Sequence, residues 1–188
     1  MYEPARRPVP AHPRVPTLTD MTWPARPEMR DDIAAVRAVN AAAFPTEAEA
    51  ALVDTLRKDS LAWLPGLSYV AEAPDGSIAA YALLSRCWVD GVPALALAPV
   101  ATAPEHQRRG AGTAVVRAVL EAARWYSERL VLVLGHPEYY PRFGFVPASR
   151  YGIRPSFEVP DEAMMALVLD DSAPVPRGTI EYPPAFGV

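Results

Sequence analysis

The chain predicts an α/β fold, a mixed sheet covered by helices, and three stretches carry that expectation. Leu95 to Phe145 reads as strand, glycine-bearing turn, helix, strand and a short tyrosine-rich hook. Leu67 to Cys87 reads as an antiparallel hairpin around Pro74-Asp75-Gly76-Ser77. Ahead of both, an alanine-rich segment spaces its apolar residues as helices do.

In chain order, residues 1 to about 20 hold Pro4, Pro8, Pro10, Pro13 and Pro16 among Arg6, Arg7, His12 and Arg14. Such composition predicts an extended, disordered tail, either a passive extension or a partner-binding arm. A single domain is expected over 21–188, since 188 residues and 51% apolar content suffice for one core. Thr22 to Pro27 should be an edge strand, restricted by Pro24 and Pro27. Asp31-Asp32 suits the first turn of a helix whose inner face is Ile33, Val36, Val39 or Asn40, and Ala43. Phe44-Pro45 ends it. Thr46 to Lys58 predicts a second helix, with Thr46 and Glu49 as a capping box and Leu52, Val53 and Leu56 facing inward.

After the hairpin, Asp90-Gly91 turns into the strand at Leu95. There Leu95 and Leu97 alternate with Ala94, Ala96 and Ala98. Pro99 and Pro104 cannot donate to a ladder, so pairing should fail along it, by a bulge or by splaying. Gly112, Val116, Val119, Ala123 and Tyr126 then recur at helical spacing, opposite Arg117, Glu121, Arg124 and Glu128. Val131 to Leu134 is a continuous apolar run, as in a strand buried on both faces. Strand, crossover helix and strand make a right-handed parallel unit. Returning strands are expected at Phe145 to Ala148, Met164 to Leu169 and Gly178 to Tyr182. Ser149 to Asp161 is a loop long enough to shape a cleft.

The turn Gln107-Arg108-Arg109-Gly110-Ala111-Gly112 carries the chemistry. Glycines let backbone approach a ligand and accept positive φ. Amides at a helix's first turn lack intrahelical partners and stand at the positive end of its dipole, a combination that binds phosphate. On these residues alone, phosphate binding and a plain tight turn both remain open. The turn is neither a Walker loop nor a three-glycine Rossmann fingerprint.

Val100-Ala101-Thr102-Ala103-Pro104-Glu105-His106-Gln107-Arg108-Arg109-Gly110-Ala111-Gly112 resembles the acetyl-CoA signature of the GNAT superfamily of N-acetyltransferases. Gly135-His136-Pro137-Glu138-Tyr139-Tyr140-Pro141-Arg142-Phe143-Gly144-Phe145 resembles that family's tyrosine four residues ahead of a Gly-Phe pair, in the form of a bacterial YhbS-like subgroup. The resemblance spans about Thr22 to Asp170 and extends more weakly to Phe186. It implies the GNAT fold: about six to seven strands, splayed between two parallel ones, with about four helices. It also implies transfer of an acetyl group from acetyl-CoA, the co-substrate, to a primary amine of a small molecule or peptide, by direct attack in a ternary complex.

Residue by residue, the resemblance puts main-chain groups of Val100, Ala101 and Thr102 against the pantetheine arm. It puts the amides of Gln107, Arg108, Arg109, Gly110, Ala111 and Gly112 on the pyrophosphate, with Arg108 and Arg109 as candidates to add charge. Tyr140 would donate to the leaving sulfur, and Tyr139 would pack, unless the neighbours exchange roles. The strand from Leu95 to Ala101 lacks the Glu or Asp that many relatives place there. The candidate base is therefore His136, whose imidazole type titrates in a useful range, or a water chain ending at Glu72. Gly135-His136-Pro137 lacks the asparagine many relatives use to hold the cofactor. The two-helix segment would roof the acceptor site, with Phe44, Trp63 and Leu64 lining it or belonging to the core. Two alternatives stand beside this: a non-catalytic acyl-CoA-binding module, and a transferase of longer acyl groups.

Net charge −4 and a pI near 5.4 argue against a nucleic-acid surface and are compatible with a cationic amine. No apolar run approaches the roughly 20 residues of a membrane helix, and no hydrophobic leader follows Met1, so a soluble cytoplasmic protein without a membrane partner is expected. Cys87 stands alone, which leaves no internal disulfide and no cysteine metal cluster, and no metal is expected. A homodimer joined through an exposed Trp88 or through the tail is possible on sequence.

Overall fold

The computed structural model describes residues 23–188, so the expected tail over 1–20 and Thr22 of the first strand lie outside the described residues. Strand β1, Ala25–Pro27, pairs antiparallel with β2, Ser68–Glu72, as the edge its prolines require. β2 pairs with β3, Ile78–Val89, in the expected hairpin, and β3 with β4, Val92–Thr102, through the Asp90-Gly91 turn. Helix α3, Ala111–Trp125, crosses back to β5, Leu130–Leu134, which runs parallel to β4. β6 (Val146–Pro147), β7 (Ile153–Arg154), β8 (Met164–Val168) and β9 (Gly178–Glu181) complete the sheet. Its order is β1-β2-β3-β4-β5-β8-β6, with β9 pairing β3 and β7.

The mixed, splayed α/β architecture is as expected, and the counts need correction. The described residues hold nine strands and three α-helices, where about six to seven strands and about four helices were expected. β6 falls within the strand expected at Phe145 to Ala148, and the piece not foreseen is β7, whose two residues are too short to leave a periodic signature in sequence. The loop expected over Ser149 to Asp161 contains β7.

Alternation along β3 divides the core. Ala80, Ala82 and Leu84 pack with α3, while Tyr81 and Leu83 pack under the two N-terminal helices α1 (Ile33–Ala43) and α2 (Ala48–Leu56). Asp31-Asp32 lies in a 3-10 turn ahead of α1. The Asp32 carboxylate does more there than oppose a dipole. It accepts two hydrogen bonds from the Arg26 guanidinium at 2.6 and 3.0 Å and one from the Met29 amide at 2.7 Å. The capping box of α2 does not form: the Thr46 hydroxyl accepts from the Ala48 amide at 3.3 Å, and one buried Glu49 oxygen has no partner. A two-residue Asx/ST-type contact has replaced the three-residue one. Trp88 is half-buried, and its main chain pairs with Pro93 and with Glu181, so its expected exposure is corrected. Tyr126 leaves the helix face assigned to it and is exposed, its hydroxyl lying over Gly66.

The functional opening is made where two strands part. Parallel pairing of β4 with β5 is confined to Leu95↔Val131 and Ala96↔Leu132. Opposite Ala82 to Leu84 the register of β4 slips by one residue, because Val100 pairs with Ala82 and Leu97 with Leu84. That bulge holds Ala98-Pro99, where sequence placed the failure of pairing. Beyond it β4 stays with β3 to Thr102, and β5 stays with β8 to Leu134. A wedge opens between them.

Candidate active site

A cleft of about 820 Å³ occupies the wedge and is lined by residues from both motifs. β4 contributes Val100 and Thr102, the turn contributes Gln107, Arg108 and Gly110, and α3 contributes Gly112 and Thr113. The facing wall is His136, Tyr139, Tyr140 and Arg142, and the rim is Ala43 and Phe44. Ala101 and Ala111 carry their side chains into the core, as strand and helix geometry require beside residues that face the cleft. The Arg109 side chain turns back to the Glu105 carbonyl at 3.3 Å and is not part of the lining. Of the three pocket candidates only Phe44 reaches the cleft. Trp63 packs beneath α1 and α2 with the Arg57 guanidinium 4.6 Å above its ring, and Leu64 packs against the α3 core.

At the end formed by the turn the backbone takes two left-handed residues, Arg108 at φ 57° and Gly110 at φ 99°. Gly110 is the N-cap of α3, so the amides of Ala111, Gly112 and Thr113 have no intrahelical acceptor. Among the described residues, no side chain caps this start. The Gln107 side-chain amide donates to the Thr102 carbonyl at 3.2 Å and ties the turn to the end of β4. Trp23, which the sequence reading passed over, donates its indole Nε1–H to the Arg109 carbonyl at 2.7 Å. A Cβ on Gly112 would lie 2.8 Å from Thr102 Oγ1 and 3.2 Å from the Tyr139 hydroxyl, so this glycine is needed for the close approach.

At the other end a 3-10 turn over Tyr140–Phe143 closes the hook. Tyr140 is only 7% exposed, with ring centroids 5.1 Å from Tyr139 and 5.7 Å from Phe145, both edge-on. Burial, with Tyr139 adding a smaller push, raises the Tyr140 phenol well above its ordinary range. Gly135 lies directly beneath this ring: a Cβ there would meet Tyr140 Cε2 at 2.2 Å. Tyr139 is half-buried under the Arg142 guanidinium, 4.6 Å from its centroid. His136 is exposed at the rim. Glu72 is committed elsewhere, its carboxylate 2.7 Å from Arg26 Nε, and it does not line the cleft. Sequence could not reveal Gly135 or Trp23, because their partners are five and 86 residues away with no periodic relation.

Comparison with known proteins agrees with this geometry. The model of the acetyltransferase (GNAT) family matches residues 33–145. YjhQ of Escherichia coli strain K12, described as an uncharacterized N-acetyltransferase, is 36% identical over 138 residues, covering 71% of this chain and 75% of YjhQ. The crystal structure of the GNAT protein YhbS from Escherichia coli in complex with CoA superposes with a TM-score of 0.84 at 27% identity, covering 94% of this chain and 97% of that one. A GNAT family acetyltransferase from Brucella melitensis in complex with acetyl-CoA superposes with a TM-score of 0.71 at 27% identity, covering 88% and 98%. The chain belongs to the GNAT family of acetyltransferases, in the group that includes YhbS.

Proposed function

We propose that the chain transfers the acetyl group of acetyl-CoA to a primary amine of a small molecule or peptide, with both substrates held together in the cleft. One observation carries this reading: the edge of β4 left open by β5 runs into an uncapped helix start, with a buried tyrosine on the facing wall. The residues fit the cofactor. A Cβ-free Gly110 and the first-turn amides of α3 offer hydrogen-bond donors to a diphosphate, and Arg108 in the lining adds charge. The relatives solved with CoA and acetyl-CoA support the same assignment.

Bound acetyl-CoA supplies a thioester whose carbonyl an unprotonated amine can attack and whose sulfur leaves with negative charge. In this reading the open edge of β4 at Val100 and Thr102 aligns the arm, and Tyr140 donates a hydrogen bond to the sulfur. A free phenol, with pKa near 10, is already a weaker acid than a thiol near 8.5. Burial widens that gap. Tyr140 therefore keeps its proton through neutral pH and serves by stabilising developing charge, not by giving the proton up. His136, at the rim of the same cleft, takes the amine's proton toward solvent. Calorimetry of CoA with wild type and Gly110→Glu tests the core of this. Bulk and negative charge in the turn should weaken binding at least tenfold. Unchanged affinity would remove the phosphate site.

A second reading, a non-catalytic acyl-CoA-binding module, is favoured by one observation. Among the described residues, no Asp or Glu lines the cleft. Acetyl-CoA consumption measured with and without a panel of amines separates the two. Amine-dependent turnover sustains the enzyme, and tight binding without it sustains the module.

A further inference from the structure

We propose that Trp23 is a positioning residue that aims the phosphate-binding turn at its ligand, an inference that rests on the function proposed above. The Arg109 carbonyl and the Gly110 N–H share one trans peptide plane and so point in opposite directions. Trp23 Nε1 holds that carbonyl at 2.7 Å, and the indole is 8% exposed within the α3 core. With the carbonyl drawn toward the core, the Gly110 N–H is turned outward, on the side where Gly110 lines the cleft.

Without that anchor, the plane is free to rotate and present the carbonyl, whose partial negative charge repels a diphosphate. Gly110 at φ 99° bounds this plane and Arg108 at φ 57° stands one residue before it, so the stretch takes left-handed conformations that persist only where surrounding contacts hold them. The indole itself is held. His106 meets it edge-on with centroids 5.3 Å apart, and the ring is packed into the same core as Ala111 and Val115. Trp23 precedes β1, 86 residues ahead of the turn it holds. The segment ahead of the first strand thereby reaches the proposed cofactor site, although Trp23 does not itself line the cleft.

The test is Trp23→Phe, which keeps an aromatic ring and removes the N–H. Calorimetry should show CoA binding weakened about fivefold to tenfold, the effect of one hydrogen bond and the reorientation it prevents. Pantetheine, which lacks the diphosphate, should bind the variant and wild type alike by NMR titration. A folded variant with wild-type CoA affinity would overturn the proposal. So would equal weakening of CoA and pantetheine, the signature of general loosening.

If the variant does not fold, the unaltered protein carries the test. With ¹⁵N-labelled tryptophan, the Trp23 indole N–H, assigned by elimination against Trp63, Trp88 and Trp125, should exchange more slowly once CoA is added. An indole resonance that CoA leaves unmoved in shift and exchange would overturn it. Failure of the unaltered protein to bind CoA at all would instead remove the functional reading itself.

Discussion

The two ends of the cleft are built on opposite plans. In the proposed function the turn from Gln107 to Gly112 would work mainly through main chain: Arg109 is turned back, Ala111 is buried, two glycines leave space, and Arg108 in the lining adds charge. In the same proposed function the hook from Gly135 to Phe145 would work through side chains, Tyr140 and His136, and its main chain serves to pack the tyrosine. Gly135 is bare because the Tyr140 ring occupies the place of its Cβ. Binding by amides needs orientation of peptide planes, which a distant indole can supply. Action by a phenol needs a fixed ring in a dry setting, which only close packing gives.

That contrast can be broken at several points. The largest effect expected is from Tyr140→Phe, a fall in kcat of about 100-fold with CoA affinity within about twofold of wild type. Steady-state kinetics and calorimetry read the two separately, and parallel losses would mean the ends are not independent. Gly135→Ala forces a methyl into the tyrosine ring. Overpacking of this kind costs about 2 kcal/mol, so the melting temperature should drop by roughly 4–8 °C. kcat should fall by up to about thirtyfold, with CoA affinity kept. In a Tyr140→Phe background the catalytic part of that loss should largely vanish, since both changes act on one group.

Gly112→Ala reverses the pattern at the turn. Its Cβ would press on Thr102 Oγ1 and the Tyr139 hydroxyl, and CoA affinity should weaken about tenfold. The melting temperature should move little, because alanine gains roughly 1 kcal/mol of helix propensity over glycine and offsets the clash. The smallest effect sharpens the comparison from outside it. Hydrogen bonds from Arg26 hold the Asp32 carboxyl below the usual carboxylate range. A depressed folded value means this contribution is complete above the unfolded pKa near 3.9 and is lost as pH falls through the lower folded one. Asp32→Asn should cost roughly 1 kcal/mol at pH 6 and flatten that acid slope in urea titrations, with neither kcat nor CoA affinity changed.

Much of the site was legible because it is local. Gly110, Gly112 and Tyr140 sit in short motifs whose spacing reports a turn, a helix start and a hook. Pro99 reported a pairing failure from the chemistry of one residue, and the bulge stands there. Boundaries were less legible. The capping box expected from Thr46 and Glu49 gave way to a contact with Ala48, because the start of a helix depends on what its first turn packs against. Phe44, Trp63 and Leu64 look alike as apolar residues near a helical roof, yet only Phe44 reaches the cleft.

By itself the sequence determined the order of strands and helices, the place where two parallel strands part, and the residue types brought to that gap. The first two follow from periodicity and backbone chemistry within a few neighbours, and the third from the resemblance of two short motifs to the GNAT family. Tertiary structure alone decided which side chains those residues meet. Glu72 was drawn to Arg26, Tyr140 was set over Gly135, and Trp23 was placed on the Arg109 carbonyl. Those outcomes depend on how a twisted sheet and its crossover helix close in space, and no spacing along the chain encodes that distance.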